Sequence, residues 1–141
     1  MAKLQKFEDM DIWQDARQLA KNAYRLSQIW KAANDFELLK ALPKTSGSVM
    51  VNISEGFGRL GNREFVQFLS IASGSLSEFK SQSYRFSDRP YCNGDLTEIF
   101  QQIESLQKRI NGFIAYLKQS EIKGYKFKED GLEYLKSNKK S

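Results

Sequence analysis

The side chains of this sequence that could perform catalysis are carboxylates, hydroxyls and one thiol. Histidine is absent and Cys92 is the only cysteine, so no Ser-His-Asp triad, Cys-His pair or Cys/His zinc site can form within one chain. A di-metal carboxylate centre in a helical bundle needs inward glutamates and two Glu-x-x-His pairs. The available glutamates come without the histidines: Glu55, Glu64, Glu78 and Glu104. We therefore predict no catalytic residues, no metal ion and no cofactor, and an enzyme that uses carboxylates alone is the weakest alternative.

The basic side chains offer a different chemistry, the binding of phosphate. Twenty-two Lys and Arg residues against 17 Asp and Glu leave a net charge of +5 and a pI near 9.3. Lysine and arginine release condensed counterions when they bind a nucleic-acid backbone. We predict nucleic-acid contacts from these residues: Lys44, Arg59, Arg63, Arg85, Arg89, Lys108, Arg109, Lys123, Lys126 and Lys128. The alternative is that the basic excess only keeps the protein soluble.

The end of the chain combines basic and aromatic residues. From Lys118 onward, seven lysines and four acidic residues leave a local charge of +3. Tyr125 and Phe127 alternate with lysines, which is a composition suited to base stacking together with phosphate contact. Docking of this segment onto the rest of the protein is the alternative interpretation.

Apolar residues that recur at steps of three and four predict the helices that must position these groups. The last regular helix carries one stripe: Leu96, Ile99, Ile103, Leu106, Ile110, Phe113 and Leu117. The helix before it carries another: Phe65, Leu69, Ala72, Leu76, Phe79, Ser83 and Phe86. Asp95 and Asn62 are placed to cap the starts of these two helices, and residues 88–94 form the turn between them.

The first half of the chain predicts two further helices. The first spans about residues 9–33, and the second lies between Phe36 and Arg59. Pro43 predicts either a kink in the second helix or a start near Leu42, because proline has no amide donor. Four helices with short connections predict an all-α, antiparallel up-down four-helix bundle over residues 1–120, followed by a basic extension over 121–141. The apolar runs are only a few residues long, so we expect no membrane segment and a cytoplasmic protein.

Two features of the second and third helices have both a structural and a functional interpretation. Small residues are dense at 46–48 and 73–75, which indicates the close approach of a neighbouring helix or of a neighbouring subunit. Asn52, Glu55 and Arg59 are spaced for a network within one helix. Alternatively, Arg59 and Arg63 flank a tight turn and together contact phosphate.

The segment from Thr45 to Arg59, with its Asn-Ile-x-Glu-Gly-Phe core that includes Asn52, Glu55 and Gly56, resembles a known family. This is the family of four-helix-bundle proteins encoded in intervening sequences of bacterial 23S rRNA genes, related to the accessory variability determinant proteins of diversity-generating retroelements. The resemblance implies a ring-like homopentamer with a basic surface. In the retroelement relatives the ring partners a reverse transcriptase and contacts template RNA. The chain departs from the family pattern at Pro43 and Val51.

These observations predict a non-enzymatic, homo-oligomeric nucleic-acid-binding accessory protein. We expect RNA as the ligand, contacted through phosphates, and a reverse transcriptase as the docked protein. The alternative is a protein-binding scaffold of the same family with no direct role in nucleic-acid binding.

Overall fold

The computed structural model describes residues 6–122, and α-helices account for most of them. A short 3-10 turn, Phe7–Asp9, precedes the first α-helix, and a second 3-10 turn, Lys31–Ala33, follows it. The four α-helices are α1 (Asp11–Ile29), α2 (Phe36–Phe57), α3 (Asn62–Ser87) and α4 (Thr97–Ile122). The structure confirms the predicted all-α class, since no strand occurs between residues 6 and 122.

The core is built from the apolar stripes that the sequence predicts. Every residue of the two stripes on α3 and α4 is buried, including Ser83, whose hydroxyl donates to the carbonyl of Phe79 at 2.8 Å. Burial of a side chain such as Leu, Ile or Phe contributes about 1.5–3 kcal/mol. The helices therefore derive their stability from this shared core, since serine and glycine weaken α3 intrinsically.

The helices run antiparallel, and the polar contacts across their seams show the register. On the α1–α4 seam, Asp15 binds Arg109, and the amide of Asn22 donates to Gln102 Oε1 at 2.9 Å. Seven residues forward on α1 thus correspond to seven residues backward on α4. Each helix packs against its neighbours in sequence, and α1 also packs against α4, which closes an up-down four-helix bundle.

Helix α2 continues through Pro43, so the alternative in which it starts near Leu42 is wrong. Its first turns are held by Leu38, Leu39 and Leu42, all of which are buried in the core. The hydroxyl of Ser46 donates to the carbonyl of Pro43 at 3.1 Å. Burial of these three leucines offsets the backbone hydrogen bond that proline removes.

The helix ends differ from the sequence expectations in two places. Helix α1 stops at Ile29, and Asn34 then adopts the left-handed conformation with φ 62°, which ends the following 3-10 turn. Gly61, and not Asn62, occupies the N-cap position of α3. Asp95 lies one residue before the N-cap position of α4, but its carboxylate accepts the backbone amide of Thr97, the first residue of the helix, at 2.9 Å.

Gly56 is where α2 and α3 approach most tightly. A Cβ at this position would lie 2.7 Å from the Cβ of Phe68 and 2.9 Å from Cδ1 of Phe65. The neighbouring Asn52 bonds to the carbonyl of Ser48 at 2.8 Å, and Ser48 pairs with Ser75 of α3 at 3.0 Å. Small residues at this seam therefore serve packing within the chain. The predicted extension begins inside the last turn of α4, and residues 123–141 lie outside the described residues.

Candidate nucleic-acid interface

The structure distributes the predicted basic residues over the bundle and does not gather them at one place. Arg59 and Arg63 flank the connection between α2 and α3, at the same end of the bundle as the last turn of α4. The guanidinium of Arg59 bonds to Glu55 at 3.1 Å and lies 4.8 Å from the centre of the Phe68 ring. The predicted pair of Glu55 and Arg59 is therefore present, whereas Asn52 bonds to Ser48 and does not join it, and Arg63 is exposed beside the pair.

At the opposite end, Arg85 and Arg89 differ in their surroundings. Arg85 is exposed in the last turn of α3. Arg89 Nε donates to Asp35 Oδ2 at 2.8 Å, and the hydroxyl of Tyr91 donates to the same oxygen at 2.7 Å. This cluster ties the segment before α2 to the segment after α3, so Arg89 has a structural partner.

The electrostatics of that cluster follow from its hydrogen bonds. The bonds from Tyr91 and Arg89 lower the pKa of Asp35 below its ordinary value. Burial and the bond to Asp35 raise the pKa of Tyr91 to about 12. The bond to Asp35 also raises the pKa of Arg89. The folded state thus favours a charged carboxylate beside a protonated tyrosine and a charged arginine.

The remaining predicted basic residues lie along the sides of the bundle or beyond the described part. Lys44 on α2 and Lys108 on α4 are exposed, whereas Arg109 is half-buried against Asp15. Lys123, Lys126 and Lys128 lie outside the described residues. Arg89 and Arg109, which are bound to carboxylates, are thus less available to phosphate than Lys44 and Lys108.

The structure also shows a basic surface that the sequence analysis missed. We call it the basic strip, and it consists of five exposed residues on two adjacent helices: Arg17, Lys21, Arg25, Lys40 and Lys44. The three residues of α1 are four apart and therefore share one helix face, as do the two residues of α2. This spacing was the signal available in the sequence.

The two halves of the basic strip lie at matching heights. Arg25 and Lys21 precede the end of α1 by four and eight residues, and Lys40 and Lys44 follow the start of α2 by the same intervals. At a rise of 1.5 Å per residue, the pairs lie about 6 Å and about 12 Å from the helix ends that the short connection joins. Arg25 is therefore at about the height of Lys40, and Lys21 at about the height of Lys44, as measured from that end of the bundle.

Three acids of α1, of α2 and of the connection between them form ion pairs with arginines that do not belong to the basic strip. The pairs are Asp15 with Arg109, Asp35 with Arg89, and Glu55 with Arg59. Glu37 is exposed one turn before Lys40, at the border of the strip. A surface of this kind is suited to phosphate, because exposed lysines and arginines contact the nucleic-acid backbone without reading sequence.

The glutamates considered for a metal centre do not line an interior site. Glu55, Glu64, Glu78 and Glu104 are all exposed. Over the described span, no group of three or more His, Cys, Asp or Glu side chains is arranged to hold a metal ion. None of the helices between residues 6 and 122 has a stretch long and apolar enough to cross a membrane.

Comparison with known proteins places this bundle in context. A family model described as 23S rRNA-intervening sequence protein matches residues 8–112, which cover the first three helices and more than half of α4. Comparison with curated proteins finds no match.

Proposed function

The chain belongs to the 23S rRNA-intervening sequence protein family, and from this premise we propose that it is a non-enzymatic, homo-oligomeric RNA-binding accessory protein. The observation that carries the proposal is the basic strip on α1 and α2. Its five cations are exposed, and three acids of α1, α2 and their connection are bound to arginines outside the strip. Arg63, Arg85 and Lys108 supply further exposed charge.

The chemistry of the basic strip determines the mode of binding. Lysine and arginine side chains on helix surfaces attract phosphate oxygens, and counterion release makes the affinity depend steeply on salt. Such contacts position a backbone without selecting bases. We therefore propose sequence-tolerant binding to RNA, the ligand that the family's association with ribosomal RNA genes favours.

Repetition of the strip in an oligomer would strengthen the binding of a polyanion. One strip is a modest charge, but several copies in a ring hold one polyanion at a high effective concentration of binding sites. We propose the ring-like homopentamer implied by the resemblance as that assembly, acting in the cytoplasm. Docking of a polymerase, such as the reverse transcriptase of a diversity-generating retroelement, is the further role that the resemblance favours.

The test measures the binding of fluorescent single-stranded RNA by anisotropy between about 50 and 200 mM salt, the range over which phosphate-based affinity falls steeply. The variant Lys21→Gln with Lys44→Gln removes two charges from the strip. We expect weaker binding and a salt slope smaller by about 1.4, since each contact to a single strand contributes about 0.7.

The matched control is Lys6→Gln with Lys118→Gln, which removes the same charge from exposed positions outside both the basic strip and the predicted contacts. It should retain most of the affinity and the slope. Equal losses in both variants would show diffuse attraction and contradict the basic strip as the site. Affinity independent of salt, or no RNA binding at all, would favour the protein-binding scaffold.

A further inference from the structure

An open groove lies where α3 ends and α4 begins, away from the basic strip. Its volume is about 570 Å³, within the range of ligand-binding pockets. Its walls include Ser87, Gly94, Leu96, Thr97 and Phe100.

The groove is apolar inside. The ring of Phe100 contacts the ring of Tyr84 with centroids 4.6 Å apart, and Tyr84 remains 54% exposed. An exposed tyrosine beside an apolar groove presents a surface that an aromatic side chain can cover.

The rim of the groove is acidic. Asp95 and Glu104 are among the lining residues, and the lining includes no lysine or arginine. Asp88, which is exposed, directly follows the lining residue Ser87 in the sequence. Glu104 also binds Lys80 of α3, whereas the bonds that Asp95 accepts come from the neutral hydroxyl and amide of Thr97. An apolar interior with an acidic rim fits a segment that carries aromatic residues between basic ones.

We propose that the groove binds residues 123–128 of a second copy of this chain. That segment reads Lys-Gly-Tyr-Lys-Phe-Lys, so Tyr125 and Phe127 alternate with three lysines. The aromatic rings enter the groove beside Phe100, and the lysines face the acidic rim. The inference gives the homo-oligomer of the proposed function a contact, and it does not depend on RNA binding.

The length of the chain requires that the segment come from another copy. Phe100 precedes Ile122 by 22 residues of helix α4, which is about 33 Å at 1.5 Å per residue. Phe127 follows Ile122 by five residues, which reach at most about 18 Å even when fully extended. The segment therefore cannot reach the groove of its own bundle.

The contact is heterologous, because one copy offers the groove at one end of its bundle and the next copy offers the segment from the other end. Contacts of this type close into a ring when the rotation between copies permits, and otherwise they continue as a filament. Each copy contributes one segment and one groove.

The first experiment compares full-length variants by sedimentation over a range of concentrations. Tyr125→Ser with Phe127→Ser, and separately Glu104→Lys, should each weaken self-association at least tenfold. The control Tyr134→Ser with Leu135→Ser changes the same kind of residues outside the segment and should self-associate like the natural protein. Equal weakening by the control, or none by the two test variants, would overturn the proposal.

The second experiment traps the contact covalently. In a Cys92→Ser background, Gln101→Cys labels the groove and Lys128→Cys labels the segment. Oxidation should join different copies, giving dimers and higher products on a non-reducing gel. Monomers alone would overturn the proposal. The variant Lys21→Gln with Lys44→Gln retains the groove and the segment, so its self-association should be normal even where RNA binding is lost, which separates the two proposals.

Discussion

The hydroxyl of Tyr91 donates a 2.7 Å hydrogen bond to Oδ2 of Asp35, 56 residues earlier in the sequence. Arg89 donates to the same oxygen, and the ring of Tyr91 also packs beside Trp30 and Phe86. The two connections at this end of the bundle are thus joined by both polar and aromatic contacts. These contacts therefore fix the α3–α4 connection, beside which the proposed groove lies, to the α1–α2 connection.

Removal of the phenol should measure the contribution of this contact. Tyr91→Phe keeps the ring but leaves Asp35 with one donor fewer, and hydrogen bonds to charged groups contribute about 1.5–3 kcal/mol when well sheltered. We expect the free energy of unfolding in urea to fall by about 1–2 kcal/mol because the site is only half-buried. The control is Tyr84→Phe at an exposed site. This variant should change the free energy of unfolding by less than about 0.5 kcal/mol.

The same pair predicts a response to alkaline pH. The folded protein raises the pKa of Tyr91 from 10.0 to about 12. A raised pKa stabilises the protonated form, so its contribution is complete below pH 10 and is lost as the pH rises toward 12. The stability difference between the natural protein and Tyr91→Phe should shrink over this interval, and a constant difference would contradict the assignment.

Asp35 predicts the opposite response in acid. Its pKa is lowered from 3.8 by the bonds from Tyr91 and Arg89, so its contribution is present above about pH 4 and is lost as the pH falls through the folded value. Asp35→Asn should therefore destabilise the protein at pH 7, and the difference should narrow below pH about 4. Urea unfolding of both proteins at a series of pH values measures this difference in the free energy of unfolding. A difference independent of pH would show that the charge of Asp35 is unimportant.

The glycines of α2 and α3 offer a matched test of packing. A Cβ at Gly56 would lie 2.7 Å from the Cβ of Phe68, whereas one at Gly47 or Gly74 would meet no atom within 4 Å. Gly56→Ala should destabilise the protein by about 1–3 kcal/mol through overpacking. Gly47→Ala and Gly74→Ala should each stabilise it by about 0.5–1 kcal/mol through helix propensity.

The same variants address the second interpretation of the small residues, a neighbouring subunit. Each is examined by urea unfolding and by sedimentation. If Gly47→Ala or Gly74→Ala weakens self-association while it stabilises the monomer, small residues are needed between subunits. A stable, fully packed Gly56→Ala variant would contradict the close approach of α2 and α3.

The sequence predicted most of the fold because core packing follows helical periodicity. The stripe from Leu96 to Leu117 is buried at every position, since a single helix face determines it. Pro43 was harder to interpret, because the continuation of α2 depends on burial of Leu38, Leu39 and Leu42, which only the assembled bundle provides.

The candidate site was less accessible from the sequence. Whether a basic residue is available to phosphate depends on partners that are distant in sequence, such as Asp15 for Arg109 across 94 residues. Conversely, the basic strip spans α1 and α2, so neither helix alone shows it. Its spacing within each helix was visible, but the pairing of the two helices comes only from the fold.

The distinction between partnered and unpartnered cations leads to a last prediction. Arg109 is half-buried and bound to Asp15, whereas Lys44 is exposed and forms no ion pair among the described residues. Arg109→Gln should lower the free energy of unfolding by about 0.5–1 kcal/mol and leave the salt slope of RNA binding almost unchanged. Lys44→Gln should leave the free energy of unfolding almost unchanged and reduce the salt slope by about 0.7. Both variants lose one positive charge, so net charge alone predicts equal effects on binding. Equal effects, measured by anisotropy alongside urea unfolding, would therefore mean that position on the bundle does not matter.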